Sequence, residues 1–494
     1  MIVKTDKETI QNYLTDASNY KSIGCDGVYI PENIDELSQL IKKTDSAKIP
    51  VTISGAGTGL VGGRVPSGGI VISLEKFNQI VSLDAEDKSI KVQAFVTLKE
   101  LQEFLKDYRL FYPPDPTEKN CSIGGTIATN ASGARTLKYG STRNWINSLV
   151  IVFHNGEIFN IRRKEIKAKN FELDFTTPSG TKYSFKLPEI SIPKVKNAAG
   201  YFIERNMDLI DLFIGSEGTL GVIVEAELNL LDQPADLISL VIFFDSFDDA
   251  YEFVKQSRKS AKDEKYKMLT PRALEFFDNR ALEFLSQKFP NVKDKKFAIW
   301  YEQEIYDENK DKIIDQLSNL ISECNGNLED IWFAFNEKEI NDIKEFRHSI
   351  SALVNEYISR NDLKKVGTDI AVPSVQFKEF YNFCCESCQT NSIDYVGYGH
   401  IGNDHLHFNM LPKDKPQNEL AIELYREFCK KAVEFGGTIS AEHGIGKLKR
   451  QYFELMYPEN VLRQMFEIKK AFDPNLILNR GNIFPERFFG DEIS

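Results

Sequence analysis

Four of the six histidines in the chain, His400, His405, His407 and His443, lie between positions 400 and 443. His405, His407 and Asn409 alternate with Leu406, Phe408 and Met410, which puts the polar set on one face of a strand. Gly402-Asn403-Asp404 has the composition of a turn, so His400 can fold back from a preceding strand toward that face. Glu442-His443-Gly444 follows Gly436-Gly437 in a loop ahead of a helical stretch. Two or three imidazoles with one carboxylate suit a zinc-like ion that keeps a position open for substrate. Hydrogen-bonded core histidines would show the same spacing.

Backbone chemistry forms a second set. In the glycine-rich run 52–69, Gly57, Gly59 and Gly62 spell G-x-G-x-x-G. A nicotinamide-binding unit needs a helix to start at the third glycine, so that its N-terminus faces the pyrophosphate. Here Arg64-Val65-Pro66-Ser67-Gly68-Gly69 leads into the β-branched run 70–74, which leaves no room for a helix. Further small-residue clusters lie at 120–135 and 215–221, each beside a strand. One such cluster could be a structural turn. Three fit an extended dinucleotide lying along backbone, because glycine permits close approach and successive N–H groups bind anions.

The elements that must position these groups are legible as periodicities. Residues 31–49 read as a capped amphipathic helix with Ile34, Leu37, Leu40 and Ile41 at helical spacing. Strands are expected at 51–54, 70–74, 90–96, 148–153, 222–228 and 237–244, and charged helices alternate with strands over 235–330. A chain of 494 residues has material for two or three domains. Its net charge of −12 argues against nucleic-acid binding, which wants a basic surface. The charged start and the lack of an apolar run of about 18 residues predict neither a signal peptide nor a membrane span. Seven scattered cysteines read as reduced thiols, and Cys385-x-x-Cys388, with no second pair, lacks the four ligands of an iron–sulfur or zinc site. The expected location is the cytoplasm, free or in peripheral contact with a membrane.

With these residues in view, the chain resembles the FAD-linked oxidases of the vanillyl-alcohol oxidase/para-cresol methylhydroxylase fold. Within them it is similar to the D-2-hydroxy-acid dehydrogenases: D-lactate dehydrogenases, glycolate oxidase flavoprotein subunits and D-2-hydroxyglutarate dehydrogenases. The segments GAGTGLVGG, PPDPTEKNCSIGGTIATNASGARTLKYGSTRNWI, KNAAGY, FIGSEGTLGVI, GYGHIGNDHLHFN and EHGIGKLK carry the resemblance, toward both ends of the chain. It implies an α+β protein: an FAD-binding domain at 1–232, an α+β cap domain with the metal site at 233–460, and a segment 461–494 returning to the FAD domain.

The same resemblance assigns residues. Ser54, Gly55, Ala56, Gly57, Thr58, Gly59 and Leu60 would wrap the FAD pyrophosphate. Pro114, Asp115, Thr117, Gly124, Gly125, Thr129, Asn130 and Gly133 would line the flavin and ribityl region. Gly140, Arg143, Glu217, Gly218, Val222 and Asn479 would complete the site. Relatives that tether FAD use a histidine in the first loop; 52–69 has none, so non-covalent FAD is expected. His400, His407 and Glu442 match the family's ligands for a divalent metal, expected to be Zn2+. The usual H-x-G-D-G-N-L-H reads His-Ile-Gly-Asn-Asp-His-Leu-His, so Asp404 replaces a glycine, which bears on the local backbone shape, and His405 an asparagine, which offers an extra ligand.

Oxidising a 2-hydroxy acid moves a hydride from Cα to flavin N5 while the hydroxyl loses a proton. A metal acidifies that hydroxyl, and an imidazole suits the base. His443 matches the family's base and Arg347 its carboxylate-binding arginine, with Ser351 and Asn409 as neighbouring substrate contacts. Without the family, Arg347 reads as a solvated helix charge and His348 as a surface residue. D-lactate is the favoured substrate. A hydroxyglutarate dehydrogenase needs a lysine just before D-x-x-x-P, where this chain has Gly367 ahead of Asp369, although Lys365 could serve in a slipped register. The electrons must pass to a quinone, a flavoprotein or a partner subunit. Alternatives are a glycolate oxidase or D-2-hydroxyglutarate dehydrogenase, an ether-lipid synthase-like FAD enzyme, and a non-catalytic flavin subunit of an electron-transfer complex.

Overall fold

The computed structural model describes residues 1–259, 263–306, 308–334, 336–361 and 366–490. The helix expected near 31–49 forms over Ile34–Ser46, started by Asn33, whose side chain accepts the Glu36 N–H at 3.0 Å. It buries Leu37, Leu40 and Ile41 and feeds the strand Val51–Ser54. That strand pairs in parallel with Ile70–Ser73 within a four-stranded sheet, and the loop between them contains no helix. The chain end returns to this sheet: Val51 N–H donates to Ile477 O and Asn479 N–H to Val51 O, both at 2.8 Å.

A second, five-stranded antiparallel sheet runs in the order Ile80–Asp84, Ser89–Gln93, Val222–Asn229, Ile146–Val152, Ile158–Arg162. Ile41, Ile72, Val152, Val222, Ile477 and Leu478 form one core with the first sheet. Each such side chain contributes on the order of 1.5–3 kcal/mol by leaving water.

Residues 236–411 build an eight-stranded antiparallel sheet. Its path is Trp332–Ala334, Asp236–Phe244, Phe297–Ile305, Ala273–Phe277, Asp394–Gly399, His405–Leu411 and Val366–Gly367, with Ile370–Ala371 also paired to His405–Leu411. The long helix Glu337–Arg360 lays Ile340, Ile343, Phe346, Ile350, Val354 and Ile358 against it at three- and four-residue spacing. Arg347 falls on this buried stripe, so a charge that reads as solvated in sequence is interior. Cys385 and Cys388 lie in the helix Ser374–Thr390, and among the described residues no cysteine joins a metal-ligating group. No helix of the described residues is long and apolar enough to cross a membrane.

Candidate active site

The histidines sit on the hairpin Asp394–Gly399/His405–Leu411, where Tyr398 pairs with His407. A turn over Ile401–Asn403 brings His400 back beside the second strand. His400 Nε2 lies 3.3 Å, and His407 Nε2 3.4 Å, from one oxygen of Glu442, Oε1. The three ligand atoms lie within 4.8 Å of one another, a donor set that fits a zinc-like ion. Nδ1 of His400 is bonded at 2.6 Å to Glu275, which directs Nε2 toward the cluster. Burial alone would raise the Glu275 carboxyl, but Arg347 and His400 hold it down to about 2. Glu442 is likewise held well below the usual carboxylate range, against its burial, by Lys196 and His400. Burial pushes His443 down to about 4 and lowers His407, so both present neutral imidazoles at pH 7.

Asp404 takes a backbone conformation that favours glycine. Its φ of 51° is left-handed, and its buried carboxylate accepts from Tyr251 OH at 2.9 Å and from Arg258 and Ser374. His405 stands outside the His400/His407/Glu442 set. It is fully buried, and its Nε2 is 3.2 Å from Asp369 Oδ1 but out of line for a hydrogen bond. Asp369, His405 and Glu442 form a second close group. However, Asp369 is already bonded to Lys449 Nζ at 2.6 Å and Ser440 Oγ at 2.8 Å.

Arg347 donates through Nε to Glu275 at 2.5 Å, leaving both Nη groups without an acceptor among the described residues. Ser351 Oγ is 3.2 Å from Tyr398 OH, and Asn409 Nδ2 donates to His407 O at 3.0 Å. His348 is exposed. Lys365 lies outside the described residues.

The three glycine clusters, far apart in sequence, meet. Ala56 N–H points at Ser122 Oγ, joining the first loop to the second. Gly215 N–H and Glu217 N–H donate to Ile127 O and Ala128 O, joining the third. A Cβ on Gly55 or Gly125 would come within 2.8 or 2.9 Å of Ser122 Oγ and force that hydroxyl to move, while Gly59 faces open space. Asn479 clamps the arrangement, accepting from Ile53 N–H and donating to Glu217 O.

Several side chains assigned to the cofactor are occupied by protein. Arg143 bonds Asp211 O, the Asp211 carboxylate and Ile214 O, and Asn130 Oδ1 caps Arg143 N–H. Asp115 pairs with Lys119 and Arg135. Glu217 accepts Ile445 and Gly446 N–H groups at 2.6 and 2.7 Å, tying the third loop to the segment after His443. Thr129 Oγ1 bonds Gly125 O, Gly133 packs on Asp115 O, Gly140 and Gly218 take positive φ, Pro114 and Val222 are buried, and Thr117 and Leu60 are exposed. Ser132 Oγ lies 3.4 Å from Glu442 Oε2, so the second loop reaches the imidazole cluster.

This fold and site define an FAD-dependent oxidoreductase of two domains. The domain described as FAD linked oxidases, C-terminal domain, matches residues 233–483, and the FAD binding domain matches 25–162. The chain belongs to the FAD-linked oxidases. It is 32% identical over 463 residues to a D-lactate dehydrogenase of Anaerostipes hadrus, covering 91% of this chain and 87% of that one. It is 30% identical over 466 residues to the glycolate oxidase subunit GlcD of Bacillus subtilis, covering 93% and 89%. A D-2-hydroxyglutarate dehydrogenase of Stutzerimonas stutzeri is 28% identical over 496 residues, covering 98% and 96%. The 4-ethylphenol oxidase of Gulosibacter chungangensis shares the fold with a TM-score of 0.68 at 16% identity, over 98% of this chain and 95% of that one.

Sequence reading missed Glu275, Asp369, Lys196 and Lys449 as parts of the site. Glu275 had a signal, an acid between Leu274 and Phe276 in an apolar strand. Asp369 stands out in the sequence only as the first residue of D-x-x-x-P.

Proposed function

We propose that this chain oxidises a small D-2-hydroxy acid, D-lactate foremost, to the 2-oxo acid. The observation that carries the reading is the convergence of Arg347, the His400/His407/Glu442 cluster and His443, linked by Glu275 and the shared Glu442 oxygen. The similarity to a D-lactate dehydrogenase, a glycolate oxidase subunit and a D-2-hydroxyglutarate dehydrogenase, each named for a 2-hydroxy acid, supports it.

When bound, FAD supplies the hydride acceptor and a divalent metal, Zn2+ by its donor set, polarises the substrate hydroxyl. The protein does the rest. Arg347 receives the substrate carboxylate on its two free Nη groups, a fork that matches both oxygens. Ser351, beside Tyr398, and Asn409, on the strand of His407, supply further polar contacts to the substrate. His443 accepts the hydroxyl proton at Nε2, and Asp369 beside its Nδ1 stabilises the imidazolium. The buried carboxylates Glu275, Glu442 and Asp369 each already have one cation, Arg347, Lys196 and Lys449. A dication added to this balanced set favours an anionic substrate and loss of its hydroxyl proton.

FAD is held non-covalently by the loop 54–60 and its partners, and a quinone, flavoprotein or partner subunit takes the electrons. Seven free thiols fit a reducing compartment such as the cytoplasm, with peripheral membrane contact if the acceptor is a quinone. Anaerobic mixing tests the reading: D-lactate should bleach the flavin, and denaturation should release FAD. No bleaching by any 2-hydroxy acid overturns it. A kcat/KM tenfold or more in favour of D-2-hydroxyglutarate, lost in Lys365→Ala, replaces lactate by the dicarboxylate, whose second charge needs a cation.

A further inference from the structure

Glu442 is asked to do two things with two oxygens. Oε1 faces His400, His407 and His443 at 3.3, 3.4 and 3.7 Å. Oε2 is bonded at 2.6 Å to Lys196, whose side chain is 2% exposed, with Ser132 Oγ as a longer donor at 3.4 Å. Lys196 arrives from the segment between the strand Lys182–Lys186 and the helix Leu209–Phe213, far from Glu442 in sequence. The segment is stitched to the Glu442 loop by consecutive residues. Ala198 N–H donates to Ser440 O at 2.9 Å, and Asn197 Oδ1 accepts from Thr438 Oγ1 at 2.6 Å. These two bonds fix the backbone and leave Lys196 aimed at Oε2.

We propose that Lys196 is a positioning residue of the metal centre, holding Glu442 so that Oε1 alone faces the two imidazoles. This rests on the metal centre proposed above. A carboxylate free to rotate could chelate through both oxygens or turn toward solvent. Bonding one oxygen to a buried ammonium removes both options before a metal arrives. Partners of this kind outside the ligand shell change metal affinity by roughly 10- to 100-fold.

The opposite role is physically distinct. A lysine that merely neutralises Glu442 competes with the metal and repels it, so its removal would tighten binding. The test is competition with a chelator of known affinity, using Zn2+ as probe and elemental analysis as readout, on FAD-loaded wild type, Lys196→Ala and Lys196→Gln. The expected result is a Zn2+ affinity lower by 10- to 100-fold in Lys196→Ala, with Lys196→Gln, which keeps a donor, between the two. Flavin content should stay at the wild-type level, because the bonds of Asn197 and Ala198 remain. Unchanged or tighter Zn2+ binding in Lys196→Ala overturns the positioning role alone. Failure of the wild type to retain Zn2+ overturns the metal centre and this role with it.

Discussion

Oδ2 of Asp369 lies 3.3 Å from Nδ1 of His443 and accepts the backbone N–H of the same residue at 3.0 Å. One carboxylate oxygen thus binds the loop and lies beside the ring, whose Nε2 is 3.7 Å from Glu442 Oε1. Glu275 holds Nδ1 of His400 while Nε2 faces that same oxygen. Two imidazoles thus lie between a carboxylate at Nδ1 and the Glu442 oxygen at Nε2, His400 by a hydrogen bond and His443 by charge proximity. Asp369 cannot turn away, because Lys449, Ser440 and two backbone N–H groups, of Glu442 and His443, hold it.

Asp369→Asn should therefore damage chemistry more than binding. An amide can present its N–H to Nδ1 and reverse the tautomer, which removes the acceptor at Nε2. The flavin reduction rate at saturating substrate is expected to fall by roughly 10²- to 10⁴-fold. Stopped-flow reduction under anaerobic conditions, on protein with a full flavin complement, reads this directly. A rate equal to the wild type would remove Asp369 from the mechanism.

Arg347→Lys keeps the charge and loses the fork. The ammonium can reach Glu275 or the substrate carboxylate but cannot offer each a separate nitrogen. The expected outcome is a KM for D-lactate raised by about tenfold or more, corresponding to about 1.4 kcal/mol, with a smaller change in kcat. Steady-state kinetics on the metal-replete variant decide it, and an unchanged KM would leave Arg347 only as the partner of Glu275.

Legibility in the sequence followed range. The polar face of His405, His407 and Asn409 was readable because a strand repeats every two residues. The glycine clusters were readable because close backbone approach excludes side chains. Departures were local: the strand expected to 96 ends at Gln93, where Ala94 turns its N–H to Val224 O. What could not be read was pairing over distance. Glu275 meets Arg347 72 residues later and His400 125 residues later, and no periodicity encodes that. Arg143 and Glu217 were assigned to the cofactor by resemblance, yet their charged groups bind carbonyls and N–H groups of neighbouring loops.

Asp404 tests whether the departure from glycine is compensated. Asp404→Gly removes the strain of φ 51°, worth about 1 kcal/mol, but leaves the Arg258 guanidinium, 15% exposed, without its carboxylate. Stranding a buried charge costs about 3–5 kcal/mol, so the variant should be less stable than the wild type despite restoring the more usual residue. Adding Arg258→Leu should recover part of the loss. Thermal unfolding of the single and double variants measures both steps, and a single variant more stable than wild type would show that backbone strain dominates.

Asp278 predicts a pH dependence of stability remote from the metal ligands. Its carboxylate starts the helix Asn279–Ser286 by accepting Ala281 N–H at 2.7 Å, and accepts Gly397 N–H at 2.6 Å on the strand leading to His400. Burial pushes this carboxyl up to about 7, outweighing the two N–H donors. An unfolded aspartate titrates near 3.9, so between about 4 and 7 the folded protein binds the extra proton. This contribution is therefore fully present below about pH 4 and is lost as pH rises through 7. Its ceiling is on the order of 4 kcal/mol, from about three pKa units. Asp278→Asn cannot titrate, so its stability relative to the wild type should improve steadily from pH 4.5 to 7 and level off above. Thermal unfolding of both proteins across that range gives the difference directly. A gap independent of pH would mean that Asp278 stays ionised in the fold, with the Ala281 and Gly397 N–H groups outweighing its burial.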